Sequence, residues 1–162
     1  MELWDAYTAD FKKIDGMTLV RGEEESIPEG VYHLVCHVLV QHTDGTYLLM
    51  QRDARKAYPL MWEATAGGSA LRGETALESA FRELREETGI ETDKLTELGR
   101  LAKKETSSVY VEYLCITDCH KDSIRLQEGE TVAYKWVTGA EMLAMNDDEL
   151  LSHRMKEFVA KG

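Results

Sequence analysis

Residues 68–90 read GSALRGETALESAFRELREETGI, and the rest of the chain is organised around them. The spacing predicts a helix from about Thr75 to Thr88. Leu77, Ala80, Phe81 and Leu84 fall on one stripe, which is expected to bury against a core. Glu83, Glu86 and Glu87 follow i, i+3, i+4 spacing and cluster on the roughly opposite face. Carboxylates this close repel one another. A hard divalent cation such as Mg²⁺ relieves the repulsion, because it prefers carboxylate oxygen and arrives carrying water and substrate phosphates.

Both ends of the helix are marked. Thr75 with Glu78 three residues on is a capping box. Gly89 stands where a left-handed residue would end the helix. Gly67-Gly68 is expected to let the backbone turn tightly before the helix and to leave its carbonyls reachable.

The spacing of Gly68, Glu74 and the run Arg82-Glu83-Leu84-Arg85-Glu86-Glu87-Thr88-Gly89-Ile90 is similar to the complete Nudix box, with every fixed position filled. The resemblance implies an α/β (α+β) fold, the Nudix-type α/β/α sandwich with a mixed sheet between helices. It implies a pyrophosphohydrolase, which cleaves a diphosphate linkage in a nucleoside diphosphate joined to another group. The cofactor implied is Mg²⁺, with Mn²⁺ as a substitute. Glu83, Glu86 and Glu87 are the expected metal ligands, Glu86 and Glu87 first among them, and the Gly67 carbonyl is a further ligand by resemblance. Arg82 is expected to orient a box glutamate through a charge-assisted hydrogen bond. Glu74 is expected to support the helix start. For the general base the candidates are Glu130 and then Glu128, weighed against a solvated acidic loop. Arg52 is carried over as a phosphate contact.

Two other readings stand beside the hydrolase. The N-terminal part, with the strand GVYHLVCHVLV, looks like the Nudix branch related to isopentenyl diphosphate isomerase. That isomerase needs a cysteine just before the box, where this chain has Ala66-Gly67-Gly68. A non-catalytic nucleotide sensor is the third reading, although sensors often lose box carboxylates and this chain keeps them. Substrate choice lies outside the box. The proline that marks ADP-ribose hydrolases is replaced by the region Lys104-Glu105-Thr106, and Tyr110 stands only near the tyrosine expected of diadenosine polyphosphate hydrolases.

Composition agrees with one domain over residues 1–162. The net charge of −11 would repel a nucleic-acid backbone, and no concentrated basic patch offsets it. Cys36, Cys115 and Cys119 form neither a CxxC motif nor a zinc knuckle, so a reducing cytoplasm is the expected setting. Glu2 and Asp5 interrupt any early apolar run, so no signal peptide is expected, and no stretch is long enough to span a bilayer.

Along the chain, residues 1–32 suggest an antiparallel hairpin added in front of the core, turning at Asp15-Gly16 and able to support a dimer contact. Arg21 is read as a phosphate contact or an ordinary surface arginine. His33–His42 reads as a buried strand, Thr43–Thr46 as a hairpin turn and Tyr47–Arg52 as the partner strand. His33 and His37 share a strand face and Cys36 points the other way, which favours core or edge positions over a ligand cluster. Trp62–Ala66, Leu95–Lys103, Val109–Thr117 and Val132–Val137 are further strands. Trp62 is a core anchor or a cleft wall. Thr138 with Glu141 opens a C-terminal helix that Asn146-Asp147-Asp148 can break, with Leu150, Leu151, Met155, Phe158 and Val159 as its apolar face.

Overall fold

A computed structural model describes residues 1–162. Strand β1 (Leu3–Tyr7) pairs antiparallel with β2 (Lys13–Val20), forming the expected N-terminal hairpin. Its turn differs from the expectation. The chain reverses over residues 8–12, where the Thr8 N–H donates to the Lys12 carbonyl at 2.8 Å. Asp15-Gly16 lies inside β2, at an irregularity where Asp5 faces Thr18 but Ala6 faces Ile14. Gly16, at φ 77°, absorbs those extra residues as a bulge. The hairpin docks through buried Trp4, whose ring stacks on His33 at 4.2 Å, and through a bridge between Tyr7 and Tyr32.

Strands β3 (His33–His42) and β4 (Tyr47–Arg52) follow, joined by the Asp-Gly turn with Gly45 at φ 93°. They pair only at Gln41 and Tyr47 and then splay apart. The next stretch, expected as one strand, changes partner at Ala64. Its first part, β5 (Trp62–Glu63), pairs with β4, and its second, β6 (Thr65–Ser69), pairs with β3. The chain thus bridges the wedge between the two strands. On the far side of β3 lie β8 (Ser108–Thr117), parallel to it over its whole length, and then antiparallel β7 (Thr96–Lys103). β9 (Thr131–Val137) pairs with β4. The result is a seven-stranded mixed sheet.

Helix α1 (Ala76–Thr88) covers one face of the sheet. Both sides of its capping box form, and Gly89 closes it at φ 79°. The buried stripe is rotated from the expected one. Ala80 and Leu84 are buried as expected, together with Ser79 and Thr88, but Leu77 is exposed and Phe81 only partly covered. Ala76, Ala80, Leu84 and Thr88 stand one turn apart, so the helix rests its smaller residues on Leu34, Cys36 and Val38. Small residues let the helix approach the sheet closely. Burying Leu84 contributes about 2 kcal/mol by removing its apolar surface from water.

The opposite face carries α2 (Gly139–Ala144) and α3 (Arg154–Lys161), whose Met142, Met155 and Val159 pack with Leu150 of the connecting segment on Leu39, Leu49 and Val137 of the sheet. The expected break falls between them, and it is longer than expected. Leu150 and Leu151 therefore pack from the connecting segment, with only Met155, Phe158 and Val159 helical. Trp62 is half-buried against this second core, with Lys135 Nζ 4.4 Å from its ring centre. No helix is long and apolar enough to cross a membrane.

Candidate active site

The site begins where β6 presses on β3. A Cβ at Gly67 would stand 1.9 Å from the Cys36 carbonyl oxygen, closer than any side chain can come. A Cβ at Gly68 would stand 2.7 Å from Glu83 Oε1. The glycine pair is therefore demanded by close approach on an extended strand, rather than by the tight turn expected from its sequence.

Helix α1 brings Glu83 and Glu87 to this pair from one turn apart. Glu87 is half-buried, and Oε2 accepts a 3.2 Å hydrogen bond from the Gly67 N–H. Burial, and then the charge of Glu83, hold its carboxyl well above the usual range; Glu63 and Glu130 push the same way. Glu83 is also raised, chiefly by burial, although Arg82 opposes the shift. Glu86 takes a different position. It is more exposed and accepts from Arg82 Nη1 at 3.2 Å, outside the pocket that Glu87 lines.

Arg82 ties the cluster together. Its Nε and Nη2 grip both oxygens of Glu74 at 2.7 and 2.9 Å, and Nη1 donates to Glu83 at 2.9 Å. Burial alone would raise the Glu74 carboxyl. The Arg82 fork and the Leu71 N–H outweigh that and leave it lowered. Glu74 thus anchors the arginine, and the arginine aims Glu83.

From the other side of the wedge, a small pocket of about 60 Å³ gathers Arg52, Lys56, Glu63, Gly67, Glu87 and Glu130. Glu130, the base candidate, is brought beside Glu87, and its carboxylate is ion-paired with Lys56. Glu128 does not line this pocket. Arg52 does, but it is engaged: its guanidinium pairs with Glu63, and Nε donates to the Ala57 carbonyl at 2.7 Å. Arg21 pairs with Glu2 at 3.2 Å. Glu63 and Lys56 were not singled out from the sequence as site residues. Glu63 reaches the site only because the strand changes partner at Ala64, which no periodicity reveals. Lys56 stood in plain view as part of a basic group after β4, but its facing partner is 74 residues away.

The carboxylates of Glu63, Glu87 and Glu130 beside Gly67 are hard oxygen donors of the kind that suits a divalent ion, with no thiolate or imidazole among them. No three acidic, imidazole or thiol side chains converge closely enough to ligate one ion as they stand. The three cysteines are free, and Cys36 points toward the helix, its thiol donating to the Ala76 carbonyl at 3.2 Å.

A larger cleft of about 380 Å³ adjoins the acidic pocket, and Glu63 borders both. Its floor follows the sheet. Gly67 is the cross-strand partner of His37, and His37 that of Glu112. Burial, then the nearby Lys103, push the His37 imidazole down to about 4, so it is neutral at pH 7. Glu112 is buried and clasped by Arg154 Nε at 2.7 and 2.8 Å.

Comparison with known proteins gives a consistent result. The family model of the NUDIX domain matches residues 31–161. A Nudix hydrolase of Listeria monocytogenes is 33% identical over 147 residues, covering 90% of this chain and 85% of that protein. Nudix hydrolase 3 of Arabidopsis thaliana is 29% identical over 84% of this chain, which corresponds to 19% of that protein. Among solved structures, DR0079 from Deinococcus radiodurans superposes with a TM-score of 0.73 at 21% identity, covering 99% of this chain and 98% of that one. The Nudix domain of Shewanella oneidensis NrtR, solved with ADP-ribose, gives 0.63 at 17% identity, covering 88% of this chain and 97% of that one. At these identities the structural likeness speaks for the fold.

Proposed function

The chain belongs to the Nudix family of hydrolases, and from that premise we propose that it cleaves a diphosphate linkage in a nucleoside diphosphate joined to another group, with Mg²⁺ as its cofactor and the cytoplasm as its setting. One observation supports the reading: Glu87 is a half-buried carboxylate with acidic neighbours, held well above the usual range and partnered by a single backbone N–H. Such an arrangement is costly unless positive charge joins it. Glu83, Glu87 and the Gly67 carbonyl would hold the ion, with Glu86 at the outer edge. When bound, it would neutralise diphosphate oxygens and lower the pKa of water.

The chain's own groups supply the remainder. Arg82 keeps Glu83 aimed while being itself held by Glu74. Glu130 can accept the proton of an attacking water, and Lys56 fixes its carboxylate beside Glu87. The new bond runs from water oxygen to phosphorus, and the bridging P–O bond breaks with its electron pair going to the departing phosphate. Arg52 and Lys56, paired with Glu63 and Glu130 in the same pocket, would be the cations available to developing negative charge.

The isomerase reading lacks its cysteine, and the thiol of Cys36 is buried on the helix side of the sheet. The sensor reading predicts nucleotide binding without turnover. A hydrolysis screen over nucleoside diphosphate sugars, dinucleotides, and nucleoside di- and triphosphates with Mg²⁺ or Mn²⁺ separates the readings. Turnover of at least one diphosphate is expected, with Glu87→Gln and Glu86→Gln each severely slowed and still folded. Wild-type rates in both variants would overturn the assignment.

A further inference from the structure

The N-terminal hairpin reaches the carboxylate cluster of helix α1 through the turn at residues 71–74. Each backbone N–H of that turn has a partner. Two are local: the Leu71 N–H donates to Glu74 Oε1 at 2.7 Å, and the Glu74 N–H to the Leu71 carbonyl at 3.0 Å. The other two go to β1. The Arg72 N–H donates to the Leu3 carbonyl at 2.8 Å, and the Gly73 N–H to Asp5 Oδ2 at 2.8 Å.

The Asp5 carboxylate is placed for that bond. Asp5 is 7% exposed, between buried Trp4 and Ala6 on a five-residue strand. Strand alternation sends Trp4 and Ala6 into the hairpin's own small core and Asp5 to the other face. A carboxylate buried there is costly unless strong bonds replace its water. Its ion pair with Lys13 at 3.2 Å does not account for the position, because Lys13 is half exposed and such pairs contribute little. The Gly73 bond does, since a charged acceptor holds a backbone N–H strongly.

The next residue is the one that matters for the site. Both oxygens of Glu74 hold Arg82, and Arg82 Nη1 donates to Glu83. A parallel connection starts from Trp4, stacked on His33. Ser69 Oγ lies 3.3 Å from His33 Nδ1, and the Ser69 carbonyl accepts from Arg82 Nη2 at 3.3 Å. The hairpin thus supports, at Ser69 and at Gly73, both ends of the segment on which Arg82 rests.

We propose that Asp5 is a positioning residue: by holding the Gly73 N–H it fixes Glu74, and through Glu74 and Arg82 it keeps Glu83 aimed for a divalent ion, a role that rests on the hydrolase reading for the use of that ion.

The test follows the Arg82 Nε–H resonance in the metal-free protein and then titrates Mn²⁺ alone, read by electron paramagnetic resonance. It compares the wild type with Asp5→Ala, Asp5→Asn and Lys13→Ala, all below their melting temperatures. In Asp5→Ala the Arg82 resonance should move and Mn²⁺ affinity should fall about tenfold, as when the partner of a metal ligand is lost. Asp5→Asn keeps an oxygen for the Gly73 N–H and should restore both readouts, and Lys13→Ala should match the wild type. If Asp5→Ala does not fold, Asp5→Glu takes its place with the same expected losses, because its oxygens stand one methylene out of position. An unmoved Arg82 resonance or wild-type Mn²⁺ affinity in the variant that loses the acceptor would overturn the proposal. So would Asp5→Asn or Lys13→Ala binding as weakly as Asp5→Ala. An acid with only a structural role would lower the melting temperature and leave both readouts in place. No nucleotide takes part, so the two readings fail separately. A failed hydrolysis screen with these responses intact would sink the hydrolase reading alone.

Discussion

At the scale of single residues, the two glycines of β6 do different jobs. Gly67 faces backbone, the carbonyl of Cys36, which cannot step aside. Gly67→Ala is expected to destabilise the fold by about 3 kcal/mol, read from denaturant unfolding. Gly68 faces the carboxylate of Glu83, the end of a side chain. Gly68→Ala should leave unfolding nearly unchanged but displace Glu83 and cut turnover at least tenfold. The reverse pattern would mean that the Gly68 contact is incidental. Both glycines were visible in the sequence, but their reason was not, because it lies in residues 31 positions upstream for one and 15 downstream for the other. The box glutamates were legible as a cluster. Their division into half-buried Glu83 and Glu87 and exposed Glu86 depends on how the helix is rotated on the sheet, which the spacing alone leaves open.

At the scale of elements, helix α1 was readable almost to the residue, since its capping box and terminal glycine are local signals that tertiary packing has no cause to override. The stripe was misplaced because hydrophobicity favoured Leu77 and Phe81, whereas closeness to β3 favours Ala76 and Ala80. This rotation has a measurable consequence. Leu84→Ala should cost about 3 kcal/mol, since Leu84 is fully buried. Leu77→Ala should cost less than about 0.5 kcal/mol, since Leu77 is exposed. Equal costs in thermal or urea unfolding would contradict the observed face. The hairpin turn was misplaced for a related reason: Asp-Gly marks a bulge as readily as a reversal. The splay of β3 from β4 was hidden altogether, because each strand satisfies its pattern whichever neighbour it takes.

At the scale of the whole molecule, three separate parts of the chain bring carboxylates to one half-buried region. The helix supplies Glu83 and Glu87, the bridging strands supply Glu63 and Gly67, and the loop before β9 supplies Glu130. Mixed-sheet architecture makes this convergence possible, since β5 and β6 cross the wedge that the splayed strands leave open. The charge deficit at the site follows from that topology. Burial raises the carboxyls of Glu87 and Glu83 above their unfolded values. A raised acid binds more protons folded than unfolded, so its contribution to stability falls as pH rises from about 4.5 through the folded value. Without metal, the protein should therefore lose stability across that window. A cation that binds the ionised carboxylates stabilises the folded state by about 2.7 kcal/mol at a hundredfold excess over its Kd.

The most direct measurement of this account is the melting temperature with and without Mg²⁺, at pH 5 and pH 7.5, for the wild type and Glu87→Gln. In the wild type at pH 7.5 the ion should raise Tm by about 5 °C or more, and by clearly less at pH 5, where protons compete for the same oxygens. In Glu87→Gln the metal-free protein should melt higher at pH 7.5 than the metal-free wild type, and Mg²⁺ should add little. An Mg²⁺ effect that is absent, or the same at both pH values and in both proteins, would contradict the claim that these carboxylates form a cation site.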